Sequence, residues 1–110
     1  TCALPIYIHD GMYRVVQTHD QFNGLGVDVA GKTGTAEVDI YNPNHGLFIG
    51  YAPASEPQYA IAVRIENGYS SGNACLAAND IFKYIFDLAD EQTILTGVAQ
   101  TDTSNASNND

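Results

Sequence analysis

Basic residues are scarce in this chain: 4 lysines and arginines stand against 13 aspartates and glutamates, for a formal net charge of −9 over 110 residues. Proteins hold nucleic acid largely by setting cations against its phosphates, so a surface of this sign argues against nucleic acid as a partner. Cysteine is nearly absent as well. Cys2 and Cys75 have neither metal-ligand nor C-x-x-C spacing, which leaves open one disulfide or, more simply, a terminal thiol and a small apolar helix residue. His9, His19 and His45 show no metal spacing either, and His45 reads as a turn residue. Neither a metal nor any other cofactor is expected. No apolar run approaches the roughly 18 residues of a membrane-spanning helix. What is present is 45% hydrophobic residues, ordinary for a folded chain, and a length that suits one domain.

Residues 1–9, TCALPIYIH, fit nothing that follows and read as an unstructured or foreign leader. From Asp10, a good N-cap residue type, Met12, Val15, Val16 and His19 recur at helical spacing. The two glycines of NGLG should end that helix near Phe22. Three strand-like runs follow, at 27–41, 46–52 and 59–66, separated by the turn-rich segments NPNHG and PASEP. In the third, Tyr59, Ile61, Val63 and Ile65 alternate with Ala60, Ala62, Arg64 and Glu66. Connections this short favour antiparallel neighbours. A second helix is expected over 74–88, with Ala77, Ile81, Ile85 and Leu88 as its apolar stripe, widened by Ala78, Phe82 and Phe86. From residue 96 the chain is polar and without periodicity, and reads as a disordered tail. The expected fold is therefore α/β of the α+β type, over residues 10–95: a three-stranded antiparallel meander flanked by an N-terminal and a C-terminal helix.

The stretch GVDVAGKTGTAEV, residues 26–38, carries two motifs at once. Gly26-x-x-x-x-Gly31-Lys32-Thr33 satisfies the pattern of a phosphate-binding loop. Such a loop needs a strand before it and a helix starting at its Lys-Thr, whose N–H groups hold the anion. Here a helix end and a turn precede Gly26, Asp28 sets a negative charge inside the loop, and TAEVDIY reads onward as strand. The context rejects a nucleotide site. Lys32-Thr33-Gly34-Thr35 on a strand suits another chemistry, acyl transfer from a peptide's carboxyl end. A cation and hydroxyls can hold the terminal carboxylate, and a backbone N–H can meet the developing oxyanion. A glycine lets a substrate lie close against the strand as an added neighbour.

With VAGKTGTAE at 29–37, HGLFIGYAP at 45–53 and PQYAIAVRIENG at 57–68, the chain resembles the C-terminal part of the transpeptidase domain of class B penicillin-binding proteins. The resemblance runs from about Gly11 to Leu88. It implies a partial fold of the β-lactamase and transpeptidase type, in which these strands belong to a five-stranded antiparallel sheet. It implies that Lys32 lies in the cleft, assisting proton transfer and binding the peptide carboxylate. The hydroxyls of Thr33 and Thr35 would touch that carboxylate, the Thr35 N–H would complete the oxyanion hole, and Gly34 would give the substrate room. Phe48, Tyr51 and the Tyr59–Ile65 strand read as packing.

The same resemblance implies an intact parent that crosslinks peptidoglycan stem peptides at their D-Ala-D-Ala ends through an acyl-serine, with β-lactams as inhibitors. Its place would be the extracytoplasmic face of the bacterial cell membrane. The family's Ser-x-x-Lys is not found, since Ser55, Ser70, Ser71, Ser104 and Ser107 lack a lysine at that spacing. Ser71-Gly72-Asn73 has the letters of the family's Ser-x-Asn, but follows Lys32 instead of preceding it and reads as a turn before the second helix. The chain alone is expected to be inactive and to need the N-terminal part of the same domain as its partner. A β-lactamase or β-lactam-sensor domain, and a stand-alone binding module without catalysis, are the alternative readings.

Overall fold

A computed structural model describes residues 3–96. The first helix, α1, runs Leu4–Gln17 and starts well ahead of Asp10, with Ala3 at its N-cap position. Pro5 stands in its first turn, where the missing N–H has no helical partner to lose. Residues 4–9 are thus helical and not structureless. Asp10, expected as a cap, instead pairs with Arg14 across one turn at 2.9 Å. Both side chains are exposed, so the pair adds little stability. The helix stops at Gln17, where the Thr18 hydroxyl donates to the Val15 carbonyl at 2.7 Å, and a 3₁₀ turn, Asp20–Phe22, carries Phe22 into the core.

Strands β1 (Ala30–Ala36), β2 (His45–Ala52) and β3 (Tyr59–Ile65) form an antiparallel meander in the order β1-β2-β3. The first is shorter at both ends than its apolar pattern suggests, because two aspartates divert the backbone into turns. Before it, the Asp28 carbonyl accepts from the Ala54 N–H (2.8 Å) and the Asp28 carboxylate from the Ser55 N–H (2.9 Å). After it, the Asp39 carboxylate accepts from the Tyr41 and Asn42 N–H groups at 2.7 and 2.8 Å. An aspartate that satisfies backbone donors in this way replaces ladder bonds with a turn.

Register sets the two faces. Thr33 lies opposite Phe48, and Phe48 opposite Val63; Lys32 lies opposite Ile49, and Ile49 opposite Ala62. The face of Thr33, Phe48 and Val63 is covered by α2 (Ser71–Ile85), whose Phe82 and Ala78 join Phe48, Val16, Phe22 and Val29 in the core. Phe48 and Phe82 are fully buried, each contributing about 1.5–3 kcal/mol relative to exposure. Gly31 and Gly50 flank the Phe48 ring so tightly that a Cβ on either would come within 2.3–2.7 Å of it.

The stripe on α2 is rotated from the expected one. Ala74, Cys75, Ala78 and Phe82 are buried, whereas Ile81 and Leu88 are exposed. The residues read as widening the stripe form its centre, because the sheet meets the helix along the Phe82 side. The helix also begins earlier than residue 74 and ends at Ile85, after which Asp87 takes φ 54° and the Leu88 N–H closes on the Lys83 carbonyl at 2.8 Å. A short helix, α3 (Glu91–Ile94), was not legible in the pattern; Asp90 caps it by accepting from the Thr93 N–H at 2.7 Å. Cys2 and, apart from Thr96, the expected tail lie outside the described residues.

Candidate active-site strand

Lys32, Thr33, Gly34 and Thr35 stand in the middle of β1, and β1 is an edge strand among the described residues. No helix starts at Lys32-Thr33, so the phosphate-loop pattern has no helix N-terminus to hold an anion. Alternation divides the four residues. Lys32 and Gly34 face away from α2, while Thr33 and Thr35 lie on the covered side.

Each has a distinct environment. Lys32 is exposed, and its Nζ donates to the Thr33 carbonyl at 2.8 Å, which folds the ammonium toward the strand backbone. Thr33 is 6% exposed, on the face of the sheet shared with Phe48. No fully buried polar side-chain atom among the described residues lacks a partner. Thr35 is half-buried, and its Oγ1 accepts from the Ser71 N–H at 3.3 Å.

Gly34 differs from its neighbouring glycines. A Cβ there would meet Leu47 at 3.5 Å, an ordinary contact, whereas one on Gly31 would lie 2.7 Å from the Ile49 carbonyl oxygen. The fold requires Gly31 but leaves space over Gly34.

The side of the sheet facing away from α2 is open around Ile49, whereas Ala30 on the same side is fully buried. A hollow of about 360 Å³ involves Lys32, Gly34, Leu47, Ile49, Ala62 and Arg64, and Ile49 within it is 55% exposed. It is an apolar floor with a cation at each side. Farther along, Tyr51 meets His9 of α1, ring to ring at 5.3 Å and through a hydrogen bond to His9 Nδ1. Burial raises the Tyr51 phenol above its ordinary value. The Asp39 carboxyl beyond β1 is held below the ordinary value by the Asn42 side chain first, then by the Tyr41 and Asn42 N–H groups. Among the described residues no group of three metal-ligating side chains occurs.

With that geometry in place, the family comparison is decisive: residues 7–87 match the penicillin binding protein transpeptidase domain. The chain belongs to this family. A penicillin-binding protein relative, the peptidoglycan D,D-transpeptidase MrdA of Acinetobacter baumannii, is 44% identical over 98 residues, covering 72% of this chain. The chain spans only 14% of that relative's length. Among solved structures, the D,D-transpeptidase domain of a peptidoglycan glycosyltransferase from Eggerthella lenta superposes with a TM-score of 0.62 at 38% identity, over 73% of this chain and 19% of that one. Penicillin-binding protein A of M. tuberculosis, solved as a ceftriaxone acyl-enzyme complex, gives 0.58 at 31% identity, over 76% of this chain and 20% of that one.

Within the penicillin-binding protein domain, two features escaped the sequence pattern. His45, read as a turn residue, is the first residue of β2, and its Nδ1 accepts from the Asn67 N–H at 2.9 Å. Ser71 and Asn73, read as a turn, form the buried first turn of α2. The partners of His45 and Ser71 lie 22 and 36 residues away, and no local pattern announces them.

Proposed function

We propose that this chain is the substrate-side part of a peptidoglycan D,D-transpeptidase, and that its parent crosslinks stem peptides through an acyl-serine intermediate. The observation that carries the reading is Lys32-Thr33-Gly34-Thr35 on a strand with a single strand neighbour among the described residues, with space above Gly34 that the fold itself does not use. A peptide ending in D-Ala-D-Ala pairs as an added strand with the side of β1 that has no strand neighbour among the described residues. Lys32 supplies positive charge to its carboxylate and assists proton transfer, and the hydroxyls of Thr33 and Thr35 donate to the same group. The Thr35 N–H stabilises the oxyanion as the serine attacks. That serine comes from the remainder of the domain, which covers the open face around Ile49 and brings its nucleophile to Lys32. β-Lactams acylate the same serine, in keeping with the ceftriaxone acyl-enzyme of the M. tuberculosis relative.

No helix of the described residues is long and apolar enough to cross a membrane. The parent nevertheless works on the extracytoplasmic face of the cell membrane, where its substrate is. The test is labelling with a fluorescent penicillin. The full-length protein carrying this segment should form a covalent adduct, and Lys32→Ala should slow its formation by about 10²–10³-fold, the usual cost of losing one transition-state contact of this kind. The 110-residue chain alone should form none. An unlabelled full-length protein would exclude the transpeptidase reading. A stoichiometric adduct on the chain alone would place the nucleophile within it.

A further inference from the structure

The turn between β3 and α2 is backbone under strain. Asn67 and Tyr69 take φ of 51° and 69°, a region that side chains larger than glycine adopt at a cost. Such conformations persist only where the surroundings over-determine them. Here the surroundings are specific. His45 Nδ1 accepts from the Asn67 N–H at 2.9 Å, and the Gly68 carbonyl accepts from both the Ser70 N–H and Asn73 Nδ2 at 2.8 Å. The turn leads directly into Ser71, whose N–H donates to Thr35 Oγ1 at 3.3 Å. Gly46, next to His45, presses so close that a Cβ would lie 2.3 Å from the Ser70 carbonyl oxygen. The start of β2, the strained turn, the first turn of α2 and the second threonine of the Lys-Thr-Gly-Thr strand thus form one connected unit.

We infer that His45 is a positioning residue for Thr35: by accepting from Asn67 it holds the turn that presents the Ser71 N–H to the Thr35 hydroxyl. This rests on the transpeptidase reading above, in which Thr35 binds substrate. Accepting at Nδ1 requires the neutral ring, with its proton on Nε2. Protonation turns Nδ1 into a donor, which faces the Asn67 donor and cannot bond it. The neighbouring charged groups are Glu37, following Ala36 opposite His45, and Glu66, following Ile65 opposite Gly46. Asp39 lies in the loop leading to β2, Tyr69 is in the turn itself, and α2 brings no acidic side chain in its first turn.

The experiment measures the rate of penicillin acylation of the full-length protein between about pH 8 and 5, the range in which imidazoles change charge. It compares wild type, His45→Phe and His45→Asn. The Asn side chain keeps a neutral acceptor near the position of Nδ1 and does not titrate there. His45→Phe should slow acylation about tenfold at neutral pH through misplacement of Thr35, and His45→Asn should restore it to within about threefold. The wild type should lose rate toward acid pH more steeply than His45→Asn. If His45→Phe fails to fold, the pH comparison between wild type and His45→Asn decides alone. Equal rates and identical pH profiles for wild type and His45→Asn, or an unimpaired His45→Phe, would overturn the role of His45 while leaving the transpeptidase reading intact. A wild type that takes up no penicillin would overturn both.

Discussion

Gly31 and Gly34 share one strand, but only one of them is there for the fold. A methyl group on Gly31 would collide with the Phe48 ring at 2.3 Å and with the Ile49 carbonyl at 2.7 Å, and both are fixed by the core and the ladder. Gly31→Ala should therefore cost about 1–3 kcal/mol, seen as a lower denaturation midpoint of the full-length protein. A methyl group on Gly34 meets Leu47 at an ordinary 3.5 Å. Gly34→Ala should leave the midpoint unchanged while slowing penicillin acylation at least tenfold, as the proposed close approach of substrate to Gly34 requires. Loss of both properties together would make Gly34 a packing residue. Phe48→Ala should be the most damaging single truncation in the sheet, at about 3–5 kcal/mol, since the ring fills the space between Gly31, Gly50 and α2.

The elements differ in how strongly they are tied down. The helix α2 buries Ala74, Cys75, Ala78 and Phe82 against the sheet, and its Phe86 end packs on Tyr59 at 5.6 Å. The four-residue α3 buries none of its side chains and depends on Asp90. The Asp90 carboxyl is held below its ordinary value of 3.8 by the bond from the Thr93 N–H, then by the Thr93 side chain. A depressed folded-state value means that this contribution is present above the unfolded value and lost as pH falls through the folded one. Amide exchange at Thr93 should therefore accelerate at strongly acid pH, relative to the intrinsic rate, before the exchange of β2 does. Asp90→Ala should show the faster exchange at neutral pH as well. If Thr93 is equally protected with and without the carboxylate, the cap contributes nothing. Element type was legible for both long helices and all three strands, because apolar spacing is a local property. Ends were less so: Asp28 and Asp39 shorten β1 by bonding to turn backbone, and an aspartate's letter does not show which N–H it will meet.

At the scale of the molecule, the chain has one finished face and one unfinished one. The sheet is covered by α2, but its reverse exposes Ile49 beside Leu47 and Ala62, and α1 leaves Leu4, Ile6, Tyr7 and Ile8 exposed. Apolar surface so arranged marks an interface. The 110-residue chain by itself should melt broadly and bind a hydrophobic dye such as ANS, and a sharp transition of a dye-free monomer would contradict an unfinished fold. The sequence by itself determined the class of the fold, the meander, the rejection of a phosphate loop and the family resemblance, now matched over residues 7–87. Each rests on residue types at short spacing, which act through local backbone preference and alternation. Tertiary structure alone decided that Ala78 and Phe82 are the centre of the α2 stripe, that Gly34 and not Gly31 has room to spare, and that His45 clamps a turn. It also tied Thr35 to Ser71, 36 residues away. Those outcomes depend on which surfaces meet, and spacing along a chain does not encode the rotation of a helix over a sheet or the one donor a distant side chain will find.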